Sequence, residues 1–146
     1  MRIAILNGPN LNLLGTREPD IYGRETLADV EKHLRAVAKE LKVTLQFAQM
    51  NGEGEMVDAI QALRGKCDGA VINAGAYTHT SLAIPDAFRA AQVPYVEVHI
   101  SNIFAREPER RRSTLAGGAV ALITGLGTRG YEYALRGLVA KLAARG

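Results

Sequence analysis

Short apolar runs alternating with stretches of helical periodicity constrain this 146-residue chain more than any other feature. Residues 2–6 (RIAIL), 43–48 (VTLQFA), 69–73 (GAVIN), 95–100 (YVEVHI) and 119–123 (AVALI) read as strands. After a long Asn/Gly/Pro segment from Asn7 to about Arg24, Leu27, Val30, Leu34, Val37 and Leu41 recur at spacings of 3, 4, 3 and 4. That spacing places them on one face of a helix. Thr26 stands where its N-cap belongs, and Asp29 where a capping box closes. A second helix is predicted over 55–64, with Val57, Ile60 and Leu63 inward and Gly65 as its stop. A third follows Ser81 over 82–91, and a fourth covers about 129–144.

Strands that alternate with helices imply parallel βαβ units. The expected class is α/β: a flavodoxin-like, doubly wound, five-stranded parallel sheet with helices on both faces. Residues 1–146 are expected to form a single domain, because no repeat, linker or low-complexity stretch interrupts them. A chain of this length buries roughly 70% of its unfolded surface and needs no covalent staple. Cys67 is the lone cysteine, so no intramolecular disulfide can form, and a cytoplasmic location fits. The run Ile3–Leu6 is too short for a signal-peptide core, and Ala119–Ile123 is far short of a membrane span. The net charge of +3 comes mostly from arginine, without a lysine-rich patch or basic tail. This argues against nucleic acid and for a small acidic ligand, since arginine favours carboxylate or phosphate.

In such a sheet, ligands bind beyond the carboxyl ends of the strands. Polar residues cluster at four of those ends: Asn7–Asn12, Gln49–Gly54, Asn73–Ser81 and His99–Asn102. The first stands where a dinucleotide-binding protein carries its glycine fingerprint, but offers three asparagines, as a site or as a left-handed turn would. The loop from Gly15 to Gly23 carries Arg17 and Tyr22, and is either a lid or an ordinary surface loop. His79 lies among hydroxyls before a helix, as a ligand for an anion or as part of a cap cluster. Asp86, seven residues on, either points back at the rim or is a solvated acid. Glu97 and His99 share one face of a strand, as a proton-transfer pair or a structural one. A carboxylate beside an imidazole holds its tautomer and favours its charged form, which suits a general acid. The run from Arg106 to Ser113 is either a solvated charge cluster or the source of an arginine for a carboxylate on the rim.

Other chemistries lack their residues. His33, His79 and His99 with Cys67 show no zinc-ligand spacing, and Cys67 has no neighbouring activator. No nucleophile elbow or phosphate-binding glycine loop occurs. The five lysines (32, 39, 42, 66 and 141) fall on predicted helices or their edges, so a Schiff base has no obvious donor.

Five ordered motifs carry a resemblance over most of the chain: NGPNLNLLGTREPDIYG at 7–23, NGEGE at 51–55, INAGAYTHTS at 72–81, DA at 86–87 and EVHISNIFARE at 97–107. Together they resemble the type II dehydroquinases. The resemblance implies elimination of water from 3-dehydroquinate to give 3-dehydroshikimate through an enolate. It implies no Schiff base, metal or organic cofactor, and a place in aromatic biosynthesis or quinate breakdown. Tyr22 resembles the catalytic base, and Arg17 the cation that favours its phenolate. His99 resembles the general acid, Glu97 the residue that orients it, and Asn10 the holder of a water against the enolate oxygen. Asn73, His79, Asp86, Ile100, Ser101 and Arg110 match substrate-binding positions, and Arg106 matches an arginine that supports the loop region. A homododecamer built from trimers is the implied assembly, with no nucleic-acid or membrane partner. A free phenol has a pKa of about 10, so such a base does need a nearby cation.

The chain departs from the family pattern at Met50, Ala74, Pro85, Phe104 and Glu109, none of them a matched catalytic position. Glu109 beside Arg110 leaves the aim of that arginine open. Two other classes compete: a non-catalytic ligand-binding module of the same fold, and a phosphate- or nucleotide-binding protein. In the first, Tyr22, Arg17 and His99 have no reason to meet.

Overall fold

A computed structural model describes residues 1–16 and 18–146, with Tyr22 described through its backbone alone. The strands are β1 (Arg2–Asn7), β2 (Thr44–Gln49), β3 (Gly69–Asn73), β4 (Tyr95–His99) and β5 (Ala121–Thr124). The helices are α1 (Pro19–Tyr22), α2 (Leu27–Leu41), α3 (Glu53–Gln61), α4 (Ala83–Ala91) and α5 (Arg129–Arg145), with short 3-10 turns between several elements. All strand pairs are parallel, in the order β2-β1-β3-β4-β5. This is the doubly wound sheet expected from the alternation of patterns.

The central strands β3 and β4 are buried at every position, and β1 at all but its first. Their two faces separate two cores. One packs Ile3, Ile5, Val71, Val96 and Val98 against Val30, Leu34 and Val37 of α2 and Tyr131, Leu135 and Leu138 of α5. The other packs Ala4, Leu6, Ala70 and Ile72 against Met56 and Ile60 of α3 and Ile84, Ala87 and Phe88 of α4. Each large aliphatic side chain sealed in this way contributes about 1.5–3 kcal/mol.

The capping box of α2 is present: Asp29 N donates to Thr26 Oγ1 at 3.2 Å and Thr26 N donates to Asp29 Oδ2 at 3.0 Å. Helix α3 starts at Glu53, two residues before the predicted start, because Glu55 Oε1 accepts the backbone N–H of Gly52 at 3.2 Å. Its buried face is Met56, Ile60 and Leu63; Val57, expected inward, is only partly buried against the same core. Strand β5 runs from Ala121 rather than 119, since Ala116–Gly118 forms a 3-10 turn first. Among the described residues no helix is long and apolar enough to cross a membrane.

Because β2 and β3 lie on opposite sides of β1, the connections leave β1 and β3 in opposite directions. This switch point opens a crevice at the carboxyl ends of β1 and β3.

Candidate active site

The loop after β1 reaches the crevice under tight backbone constraint. Gly8 N donates to Asn73 O at 2.8 Å, and a Cβ on Gly8 would lie 2.5 Å from Ala74 O, so only glycine allows the two loops to approach. Asn10 adopts left-handed backbone, with φ 68°, and its N–H donates to Asn51 Oδ1 at 3.1 Å. Gln49 Nε2 donates to Gly8 O and to Asn51 Oδ1, each at 3.1 Å, while Tyr77 Oη donates to Asn51 O at 2.7 Å. The residues after β2 thus brace the loop after β1. For Asn10 the turn and the site are the same thing.

The resulting cleft, open to solvent, is lined by Pro9, Asn10, Leu11, Asn73, Gly75, Ala76, His79, His99, Ile100, Ser101, Ile103, Arg106 and Arg110. Eight residues singled out from the sequence meet there: Asn10, Asn73, His79, His99, Ile100, Ser101, Arg106 and Arg110. Asp86 does not join them. It is exposed on α4 and paired with Arg89 one helical turn on. Arg17 and the side chain of Tyr22 lie outside the described residues.

Under His99 lies Glu97, fully buried, with its Oε2 at 2.5 Å from His99 Nε2. A buried carboxylate needs several donors. Ser113 supplies another, its hydroxyl lying 2.8 and 2.9 Å from the two Glu97 oxygens. His79 lies across the cleft, its ring centroid 6.5 Å from that of His99 and its Nδ1 2.7 Å from Arg112 O.

On the other side, Asn73 Nδ2 donates to Tyr131 Oη at 3.0 Å, and Tyr131 Oη donates to Asn7 Oδ1 at 2.5 Å. Gly75 N donates to Asn73 Oδ1 at 3.2 Å, so both ends of that amide are held. Complete burial raises the Tyr131 pKa far above the ordinary phenol value, and the bond from Asn73 offsets only part of this. Tyr131 therefore works as a fixed neutral hydroxyl.

Arg110 pairs with Glu107, Nε to Oε1 at 2.5 Å, and not with its neighbour Glu109, which is exposed. Held by Glu107, Arg110 forms part of the cleft wall. Arg106 Nη1 donates to Ser101 Oγ at 3.3 Å and its Nε lies 3.7 Å from Glu107 Oε2. The lower rim thus carries two guanidinium groups beside a hydroxyl, a receptor suited to a carboxylate. None of the five lysines lines the cleft. Among the described residues no three His, Cys, Asp or Glu side chains are grouped as metal ligands would be.

Ser113 and Tyr131 escaped the sequence reading. Ser113 closes a run of charged residues that looks solvated, and Tyr131 sits in the apolar stripe of the last helix. Neither has a local sign of its polar role.

Comparison with known proteins places these features in a family. The model of the family described as "Dehydroquinase class II" matches residues 1–139. A "3-dehydroquinate dehydratase" of Gemmatimonas aurantiaca is 60% identical over 142 residues, covering 97% of this chain and 93% of that protein. A "Catabolic 3-dehydroquinase 1" of Aspergillus terreus is 56% identical over 133 residues, covering 91% of this chain and 88% of its own. The crystal structure of a type II dehydroquinase from Butyrivibrio crossotus superposes with a TM-score of 0.92 at 40% identity, covering 94% of this chain and 97% of that one. The fold, the order of the rim loops and the extent of these matches agree: this chain belongs to the class II dehydroquinase family.

Proposed function

We propose that this chain removes water from 3-dehydroquinate to give 3-dehydroshikimate, using its own side chains without Schiff base, metal or organic cofactor. The observation that carries this reading is the line from Ser113 through buried Glu97 to His99, which ends in a cleft walled by Asn10, Asn73, His79, Ser101 and Arg110. A buried carboxylate hydrogen-bonded to an imidazole at a pocket wall is the arrangement of a general acid.

In this mechanism Tyr22, as phenolate beside Arg17, takes a proton from the carbon next to the substrate ketone. The electron pair moves onto the carbonyl oxygen, giving an enolate met by a water that Asn10 holds. The enolate then collapses and expels the hydroxyl group, which leaves as water with a proton from His99, while Glu97 keeps the ring oriented. The backbone and hydroxyl at Ile100–Ser101 and the Arg110 guanidinium receive the substrate carboxylate, with Arg106 bracing Ser101. Asn73 and His79 are further substrate contacts.

Asp86 keeps a place in substrate binding only if a second copy of the chain brings it to a neighbouring cleft, since within one chain it faces outward. This agrees with assembly into a homo-oligomer, for which we propose the dodecamer of the family resemblance; light scattering on the purified protein measures it. The proposed setting is cytoplasmic, in aromatic biosynthesis or in quinate breakdown.

Adding 3-dehydroquinate to the purified protein should produce the ultraviolet absorbance of a conjugated enone. Absence of that signal across a pH series would end the dehydratase reading. Borohydride with substrate should leave activity intact, as should chelators. Substrate-dependent inactivation with a reduced adduct on lysine, or loss restored by added metal, would contradict a mechanism run by side chains alone.

A further inference from the structure

We infer that the segment holding Arg112 and Ser113 sets the two cleft histidines in opposite tautomers, with Ser113 as the positioning residue for His99. The proton inventory of Ser113 leads to this. A serine hydroxyl has one proton and two lone pairs. The backbone N–H groups of Leu115 and Ala116 both donate to Ser113 Oγ at 3.1 Å, which takes up the lone pairs. Its proton can therefore only point to Glu97, whose oxygens lie 2.8 and 2.9 Å away. Glu97 is held as an acceptor, and it faces His99 Nε2 at 2.5 Å. Imidazole binds a proton more tightly than a carboxylate does. The proton between them thus rests on Nε2, and Nδ1 is the nitrogen left to exchange a proton with the cleft.

For His79 the same segment imposes the reverse. Its Nδ1 lies 2.7 Å from Arg112 O, and a carbonyl only accepts, so Nδ1 carries the proton and Nε2 is left to the ligand. The segment is tied to both histidine-bearing elements. Thr114 N and Oγ1 donate to Thr78 O, at 2.9 and 3.2 Å, next to His79. Tyr95 Oη, on the strand of His99, donates to Leu115 O at 2.5 Å. One strap thus decides which nitrogen each ring offers. This rests on the reading of the cleft as a dehydratase site: His99, when protonated at both nitrogens, delivers the Nδ1 proton and returns to the Nε2-protonated form, while His79 turns its Nε2 toward the ligand.

The test combines nuclear magnetic resonance with kinetics. Two-bond proton–nitrogen correlations of 15N-histidine-labelled protein report tautomers directly, and only His33, His79 and His99 contribute signals. In the neutral forms, wild type should show His99 protonated at Nε2 and His79 at Nδ1. Without the Ser113 donor the Glu97 carboxylate is free to turn off His99 Nε2, so Ser113→Ala should mix the His99 tautomers and lower kcat roughly ten- to a hundredfold, the worth of one hydrogen bond to a charged group. KM should stay within about twofold, and Ser113→Thr, which keeps the hydroxyl, should restore both signals. Glu97→Gln should invert His99, because Ser113 engages the amide oxygen and turns its NH₂ toward Nε2. That arm holds the proposal to account if Ser113→Ala fails to fold. An Nδ1-protonated His99 in wild type overturns the inference even in an active enzyme. So does a Ser113→Ala variant with unchanged tautomer and kcat. Inactive protein with the assigned tautomers would overturn the dehydratase reading and leave the tautomer assignment standing.

Discussion

The two sides of the cleft are built by opposite means. On the His99 side, Glu97 is 0% exposed and His99 5%; they bond each other on β4, Glu97 accepts from Ser113 of the strap, and the strap's Arg112 O meets His79 of the turn after β3. On the Tyr22 side, every described residue from Glu18 to Thr26 is exposed, apart from the undescribed Tyr22 side chain. Its short helix α1 is framed by Glu18 at φ 43° and Gly23 at φ 78°, with Gly23 N donating to Pro19 O at 2.8 Å. The proposed acid is thus embedded in the core and its geometry is inseparable from the stability of the fold. The proposed base rides on a surface segment that the core does not need. Catalytic cost and folding cost should therefore coincide on one side and separate on the other.

His99→Ala should give the largest effect, because it strikes both. Removing the acid should lower turnover by roughly two to four orders of magnitude. It should also cost about 3 kcal/mol of stability, since Glu97 loses the partner of a buried charge. Activity measurements and denaturant unfolding read the two losses together; loss of turnover without loss of stability would break the coupling proposed for this side. Tyr22→Phe should match the loss in turnover, with binding affinity nearly unchanged and stability within about 0.5 kcal/mol of wild type. A variant that keeps turnover, or chiefly weakens binding, would make Tyr22 a packing residue of a lid.

Tyr131→Phe sharpens the buried side without touching substrate. It strands Asn7 Oδ1 and Asn73 Nδ2, which should cost about 1–3 kcal/mol, read as a lower unfolding midpoint. Turnover should fall less than in His99→Ala, through loosening of the Asn73 amide. The smallest effect lies away from the cleft. Glu132 on α5 is bonded to His33 Nε2 at 2.6 Å and Arg136 Nε at 2.9 Å, and these partners hold its pKa down to about 2 from 4.5. A lowered carboxylate pKa contributes stability that is present above the ordinary value and is lost as pH falls through the folded one. Acid unfolding should therefore steepen between about pH 4.5 and 2, and Glu132→Gln should flatten that limb while leaving turnover unchanged. An unaltered acid limb would show that this cluster is screened by solvent.

Most of the fold was legible because its determinants are local. The spacing of Leu27, Val30, Leu34 and Val37 and the Thr26–Asp29 pair act within one or two helical turns, and the helix they define is the one observed. Of the positions expected inward over 55–64, Ile60 and Leu63 are sealed and Val57 only partly buried beside the sealed Met56, because a short stretch rich in apolar residues leaves the edge of its inward face undetermined. The gathering of Asn10, Asn73, His99 and Ser101 was also legible, since each closely follows or ends a strand and parallel strands bring their carboxyl ends to one edge.

Sequence by itself determined the alternation of strands and helices, the parallel sheet and the edge on which the polar residues collect. These follow from side-chain periodicity and capping, which are written within three or four residues. Only the tertiary structure decided that Ser113 meets Glu97 across 16 residues and Tyr131 meets Asn7 across 124, that Arg110 takes Glu107 rather than Glu109, and that Asp86 faces away from its own cleft. The physical reason is that a buried polar group must be satisfied by whatever donor the packing brings within 3 Å, and spacing along the chain does not encode that neighbour.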